Sequence, residues 1–402
     1  MMKGDEYFEL PAPDLQAQAH SGRLCELIRG EIAGAGGRIP FARYMELALY
    51  APGLGYYSAG RQKFGEAGDF VTAPEISSLF SRCLARQCAQ VLEEAEGGGI
   101  LEFGAGSGVM ARDILAWLEE SGRLPERYLI LEPSAELRAR QEATLRDRLP
   151  HLMARVAWLD RLPEAGFYGV VLANEVLDAM PVHRLLKREQ GLRELYVTGG
   201  SDGRFAYCEG ALSHEALAEY MASAFPESTM SALQDGYVFD VNLAASAWIG
   251  SLAGLLQKGL ALIIDYGYPR HEYYHPQRRN GTLKCFYHHR SHDDPLILPG
   301  LQDITAHVDF TALAESAHDQ GLTVAGYTTQ AAFLEACGIA DMLAFDDGDP
   351  LSNVNQARQI RQLMLPGEMG EVFKVLGLTR ELDLSLLGFG GRDYTYALSS
   401  DG

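Results

Sequence analysis

The stretch Ile100-Leu-Glu-Phe-Gly-Ala-Gly-Ser-Gly108 limits the fold of this chain more than any other. A short apolar run carrying Glu102 ends in three alternate glycines, and helical spacing sets in at once over Val109–Glu120. Glycine reaches backbone conformations closed to other residues and lets main chain approach a ligand closely. The free N–H groups of a helix start point at whatever binds there. Strand, turn and helix in this order form the unit of an open parallel sheet, whose ligands lie outside the carboxyl ends of the strands. A dinucleotide fingerprint beginning at Gly104 needs its third glycine at position 109, which is Val109, so that fingerprint fails.

The same alternation continues along the chain. Tyr128–Glu132 is a second apolar run followed by the helical pattern Ser134–Leu149; weaker Val156–Leu159 is the third, Val170–Ala173 the fourth and Ala261–Asp265 the fifth. Short, nearly continuous apolar runs joined by helices predict a doubly wound α/β sheet covered on both faces. Two late strands, Leu322–Thr328 and Tyr394–Leu398, are expected to complete it. The predicted organisation is a helical cap with a Gly/Tyr-rich lid segment over 1–97, a first part of the core over 98–183, an inserted subdomain over 184–245, and the remainder of the core over 246–402. The insertion holds two facing strands, Arg193–Thr198 and Arg204–Cys208, and then a helix-rich piece.

Charge narrows the partners. The 402 residues carry 54 acidic and 34 basic side chains, a net charge of −20. Such a field repels phosphate backbones and anionic membranes, so no nucleic acid is expected, and it favours a cationic ligand or an Arg/Lys-rich polypeptide. Solubility alone would also account for it. No apolar run approaches the roughly 20 residues of a membrane span. The six cysteines form no CxxC pair, and the acidic opening MMKGDEYFELPAPD has no apolar signal core. A cytoplasmic protein with reduced thiols is the expectation.

The spacing acidic-x-Gly-x-Gly-x-Gly resembles motif I of class I methyltransferases. The resemblance implies a seven-stranded Rossmann-like sheet and S-adenosylmethionine as cofactor, with S-adenosylhomocysteine as product. The cofactor's amino-acid end would lie along Glu102, Gly104, Gly106 and Gly108, and Glu132 would accept the ribose hydroxyls, since a carboxylate accepts two hydrogen bonds at once. The alternative is that Glu132 caps the helix from Ser134. Trp158-Leu-Asp160 is a weaker candidate for the adenine side.

The fourth run ends in Leu172-Ala-Asn-Glu-Val-Leu-Asp-Ala-Met-Pro181, which places Asn174, Glu175 and Asp178 beside the first strand's carboxyl end. Methyl transfer is an in-line displacement, so aligning the nucleophile and excluding water matter most. A guanidinium stays protonated in water, and paired carboxylates such as Glu175 and Asp178 would clamp it bidentately. Two structural alternatives stand beside this: Asp178 as a cap of a following helix, and Glu175 in an ion pair. Oxygen or carbon nucleophiles also remain open.

Several blocks together resemble the MidA-like family: Phe41–Tyr50, Gly53-Leu-Gly-Tyr-Tyr57, Gly68-Asp-Phe-Val-Thr-Ala-Pro-Glu-Ile-Ser77, the two turns above, Asp265-Tyr-Gly267, Gly281-Thr-Leu283, and Pro299-Gly-Leu-Gln-Asp-Ile-Thr-Ala-His-Val-Asp-Phe310. Mitochondrial members of that family are arginine methyltransferases that assist assembly of respiratory complex I, so the resemblance implies a protein arginine as acceptor. A non-catalytic assembly or scaffold protein and a small-molecule methyltransferase are the competing readings. Asp69 and Thr72 are expected on the cofactor through a lid, or else in an ordinary turn at a helix start. Tyr266 is expected to line the substrate channel. His288, His289 and His292 read as a surface loop rather than a metal site, and His307 and Asp309 as either substrate-side or structural. Apolar surface on the insertion would make the chain a homodimer.

Overall fold

The structure, a computed structural model, describes residues 10–58, 71–163, 166–343 and 350–399. The apolar runs supply seven strands of the central sheet, β1 (Gly99–Phe103), β2 (Tyr128–Leu131), β3 (Val156–Leu159), β4 (Phe167–Asn174), β5 (Leu256–Tyr268), β6 (Thr323–Thr329) and β7 (Phe373–Arg380), and the two-residue strand Val308–Asp309 adds an eighth, parallel to the end of β5. The seven lie in the order β3-β2-β1-β4-β5-β7-β6. Neighbours from β3 to β5 are parallel, while β7 runs antiparallel to both β5 and β6. Strand order reverses between β1 and β4, so the glycine turn leaves β1 at the switch point where such sheets bind ligands.

Successive residues of each strand feed opposite faces. Ile100, Leu172 and Leu262 enter the core under helices Ser78–Glu94 and Val109–Glu120. Leu101, Val171 and Ile263 enter the core under helices Leu243–Leu255 and Phe310–Asp319. Burial on both faces is why these strands read as continuous apolar runs rather than alternating ones.

Between β4 and β5 the chain builds a second sheet from His183–Arg188, Gly191–Gly199, Phe205–Gly210 and Val238–Val241. The two facing strands expected there pair antiparallel, Thr198 against Ala206. The same sheet takes up Ile39–Pro40 on Gly191–Gly199, through Ile39 against Val197. The N-terminal helix Phe41–Tyr50 packs on it through Phe41, Tyr44, Val197 and Phe205.

Two expectations are corrected. Tyr394–Leu398 is not a strand: Thr395–Leu398 forms a 3-10 turn, because Asp393 accepts the Thr395 N–H at 2.9 Å and also the Tyr327 N–H at 3.1 Å. The final strand is β7. No helix follows Asp178 either; the chain turns directly into the strand His183–Arg188. Among the described residues, no helix is long and apolar enough to cross a membrane.

Candidate functional site

The carboxyl ends of β1, β2, β4 and β5 open into one cavity of about 610 Å³, within the usual range for small-molecule sites. Its walls include Gly104, Gly106, Glu102, Glu132 and Thr72 at one end, and Asn174, Glu175, Asp178, Tyr266 and Asp303 at the other. Among the described lining residues six are carboxylates, counting Glu75, and Lys284 is the one lysine or arginine. Asp69 lies outside the described residues.

At the glycine end, Gly104, Gly106 and Gly108 all have positive φ, 61°, 53° and 82°. Gly108 starts the helix Val109–Glu120, and a Cβ there would stand 2.9 Å from the Gln141 Cα. Gln141, which sequence reasoning passed over, ties this end together. Its amide donates to the Gly106 carbonyl at 3.1 Å and to the Glu132 carboxylate at 3.2 Å, and its carbonyl accepts from the Trp158 indole at 2.9 Å. Glu132, nearly fully buried, also accepts the Ser134 N–H at 2.9 Å, so it supports the helix start while lining the cavity. Glu102 is fully buried and accepts from the Tyr128 hydroxyl at 2.6 Å. Burial pushes its carboxyl up to about 7, against the pull of that hydroxyl. From the N-terminal segment, Glu75 accepts the Ser107 hydroxyl, and Thr72 caps helix Ala73–Ile76 with its backbone alone.

Trp158 and Asp160 fall outside the lining. Trp158 is spent on Gln141, and the exposed Asp160 pairs with Arg138 at 2.7 Å. Because Gln141 holds turn and acid together, Gln141→Leu is expected to weaken S-adenosylhomocysteine binding roughly tenfold and destabilise the fold by about 1–3 kcal/mol. Calorimetry and thermal melting would read the two effects separately.

At the other end, Glu175 takes φ +52°, a conformation rarely adopted outside glycine and one that marks functional sites when a tight turn enforces it. Its N–H donates to the Ile264 carbonyl at 2.9 Å, and its carboxylate accepts from the Asn174 amide at 3.2 Å. Burial first, and then the neighbouring Asp178 charge, push the Glu175 carboxyl up to about 8. Asp178 accepts the Tyr266 hydroxyl at 2.5 Å, and burial pushes it up to about 6 despite that bond. Behind them, fully buried Asp265 accepts the N–H groups of Leu177 at 2.9 Å and Asp178 at 3.2 Å and fixes the turn. Burial first, and then the Asp178 and Glu175 charges, push the Asp265 carboxyl well above the usual carboxylate range.

The N-terminal segment closes this end. The Tyr50 hydroxyl donates to the Ala179 carbonyl at 2.9 Å, and Tyr57, stacked on Tyr50, donates to Asp303 at 2.9 Å. His307 lines the cavity, whereas Asp309 is structural: it caps helix Phe310–Asp319 and accepts from Tyr220 and Arg270. His288 and His289 form the turn between Lys284–Tyr287 and Arg290–His292. Among the described residues, no group of three or more His, Cys, Asp or Glu side chains is placed to hold a metal ion.

Residues 83–328 match the family model described as "Putative S-adenosyl-L-methionine-dependent methyltransferase". The chain belongs to this family. It is also similar to a crystal structure from Burkholderia thailandensis bound to S-adenosyl-homocysteine, with 45% identity, a TM-score of 0.91, and coverage of 96% of this chain and 100% of that one. Among curated proteins, the mitochondrial protein arginine methyltransferase NDUFAF7 homolog of Drosophila melanogaster is 28% identical over 92% of this chain and 88% of its own length. NDUFAF7 of Danio rerio is 30% identical over 85% and 83%. This methyltransferase therefore uses S-adenosylmethionine, and its residues fit that group. Gly104 and Gly106 line the cavity with bare main chain beside the start of helix Val109–Glu120, and the Glu132 carboxylate lines it next to them.

Proposed function

We propose that this methyltransferase methylates an arginine of a protein partner. The observation that carries the reading is the cluster of Glu175, Asp178 and Asp303 in the wall of the cavity beyond the glycine turn. Carboxylates gathered in one wall disfavour one another's charged forms, and a guanidinium would supply positive charge with donors in a fixed fork. The arginine methyltransferase names of the relatives support the same choice. A scaffold role is disfavoured by this concentration of carboxylates in the cavity wall, which a purely structural site does not require.

In this reading the turn of Gly104, Gly106 and Gly108 receives the cofactor's amino-acid end along its bare main chain, Glu132 takes the ribose hydroxyls, and Thr72 lines the cavity beside them. Glu102 braces the turn from beneath through Tyr128. When bound, S-adenosylmethionine supplies an electrophilic methyl on a sulfonium. Glu175 and Asp178 hold two nitrogens of the guanidinium and concentrate its positive charge on them, which leaves the third more nucleophilic. Asn174 and the Tyr266 hydroxyl fix the two carboxylates in place. Each transfer leaves the nitrogen with one proton to lose, and the raised pKa of Glu175 makes it the acceptor.

The pH dependence follows from the raised values. Both carboxyls must ionise to clamp a cation, so affinity for an arginine peptide should rise with pH through about 6 and about 8 and level off above. Calorimetry on protein saturated with S-adenosylhomocysteine tests this; affinity independent of pH across that window would remove the clamp. Stability without ligand runs the other way. Folded-state values above the ordinary 4.5 and 3.8 favour the folded state at low pH, and that contribution is lost as pH rises through the folded values.

A further inference from the structure

The acidic cavity has a cationic edge that the methyl-transfer reading leaves unused. Arg278, from the loop before Gly281, Lys284, at the start of the strand Lys284–Tyr287, and Lys374, at the start of β7, come from three separate segments. They gather around two rings. The Arg278 guanidinium lies 3.7 Å from the Tyr268 ring centre and the Lys374 ammonium 5.6 Å from it. Tyr268 meets His307 edge-on at 5.2 Å, and Tyr266, which holds Asp178, meets the same imidazole at 5.2 Å. Lys284 and His307 line the cavity itself.

Two of these three cations form no ion pair among the described residues. Lys284 pairs with the exposed Asp293 at 2.6 Å. Arg278 and Lys374 donate only to backbone carbonyls, of Glu272 and of Glu371 and Val372, and neither forms an ion pair with a described carboxylate. Glu272 and Glu371 act on Lys374 from further off, while Arg278 opposes it. Nor do they serve the clamp carboxylates: burial and neighbouring carboxylates raise Glu175, and burial raises Asp178. All three cations act on His307 instead. Burial and their charges hold its imidazole down to about 4, and its buried Nδ1 has no hydrogen-bond partner among the described residues.

In a chain of net charge −20, a cluster of like positive charge beside the acceptor end calls for an anion there. We propose that Arg278, Lys284 and Lys374 receive a carboxylate which the acceptor polypeptide carries close to its methylated arginine. The inference rests on the protein-arginine reading for the identity of that polypeptide. The cavity then recognises a dipolar pair: a guanidinium on Glu175 and Asp178, and an acidic side chain on the cationic edge. A charge-assisted contact of this kind also selects among arginines, since an arginine flanked by lysines would meet like charge.

The test uses full-length protein saturated with S-adenosylhomocysteine and short acetylated alanine-rich peptides with one central arginine. One glutamate is walked through the flanking positions, and a matched series carries glutamine there. At the best position the glutamate peptide should bind roughly tenfold or more tightly than its glutamine partner. That preference should collapse in Arg278→Met and Lys374→Met, whose S-adenosylhomocysteine affinity stays at the wild-type level. Binding should also raise the pKa of the His307 imidazole, followed by NMR, because a carboxylate beside it favours the charged form. Equal binding of both series at every position overturns the inference, as does a glutamate preference that survives both substitutions. Binding that depends on the glutamate but not on the arginine, checked with a central norleucine, upholds the cationic edge and defeats the arginine reading.

Discussion

Glu175→Gln is expected to cut turnover by roughly 10²–10³-fold, within the range of positioned acid–base groups, while S-adenosylhomocysteine affinity stays near the wild-type value. Glutamine keeps the shape of the side chain and the bond from Asn174 but can neither carry the clamp's charge nor take a proton. Burial holds the native carboxyl up to about 8, so at neutral pH it is already largely protonated without ligand. The amide mimics that protonated form, and the fold should tolerate it; unchanged thermal melting with lost turnover would mark a chemical role. Steady-state kinetics should show the loss in kcat together with kcat/KM. Wild-type turnover in this variant would remove Glu175 from the reaction. A variant that melts early would reassign it as a structural member of the turn.

Gly108→Val should abolish measurable binding of S-adenosylhomocysteine. Two effects act together. A β-branched residue at φ +82° costs of order 1–3 kcal/mol in backbone strain. Its Cβ would also lie 2.9 Å from the Gln141 Cα, a backbone atom that cannot swing aside. Helix Ala135–Arg148 must then move away from the turn, carrying Gln141 and with it the support of Glu132. Gly108→Ala meets the same clash with less strain from branching and should retain weak binding. Should the valine variant bind normally while folded, the glycine turn is not where the cofactor sits.

The glycine turn, the first four strands and the carboxylates of the Asn174–Asp178 turn were legible because each is specified by residues adjacent in the chain. A strand, a positive-φ turn and a helix start leave a local signature. What escaped was set by distant partners. Gln141 sits on a helix that is polar nearly all round, and only the fold shows that it faces inward to Gly106, Glu132 and Trp158. Asp303 lies in a block noticed only as a block, and its place in the cavity depends on Tyr57, 246 positions away. β7 was overlooked because Phe373–Arg380 carries a glycine at its centre and charges near both ends. Tyr394–Leu398 looked equally apolar, yet Asp393 bends it out of the sheet.

The second sheet explains why an N-terminal segment matters to a site built mainly on strand ends. Ile39–Pro40 anchors the helix Phe41–Tyr50, which delivers Tyr50 to the Ala179 carbonyl. The acceptor end is therefore walled by residues from the segment before the central sheet, from the turn after β4 and from the strand Asp303–Thr305 together.

The most direct test of the acceptor assignment is transfer of an isotopically labelled methyl group from S-adenosylmethionine to protein, with the modified residue mapped by mass spectrometry. The full chain and its Glu175→Gln variant would be incubated side by side with an undermethylated protein extract. The account predicts label on arginine side chains of one or a few polypeptides with the wild-type enzyme, and none with the variant. Label on another residue type, or only in the small-molecule fraction, would contradict it.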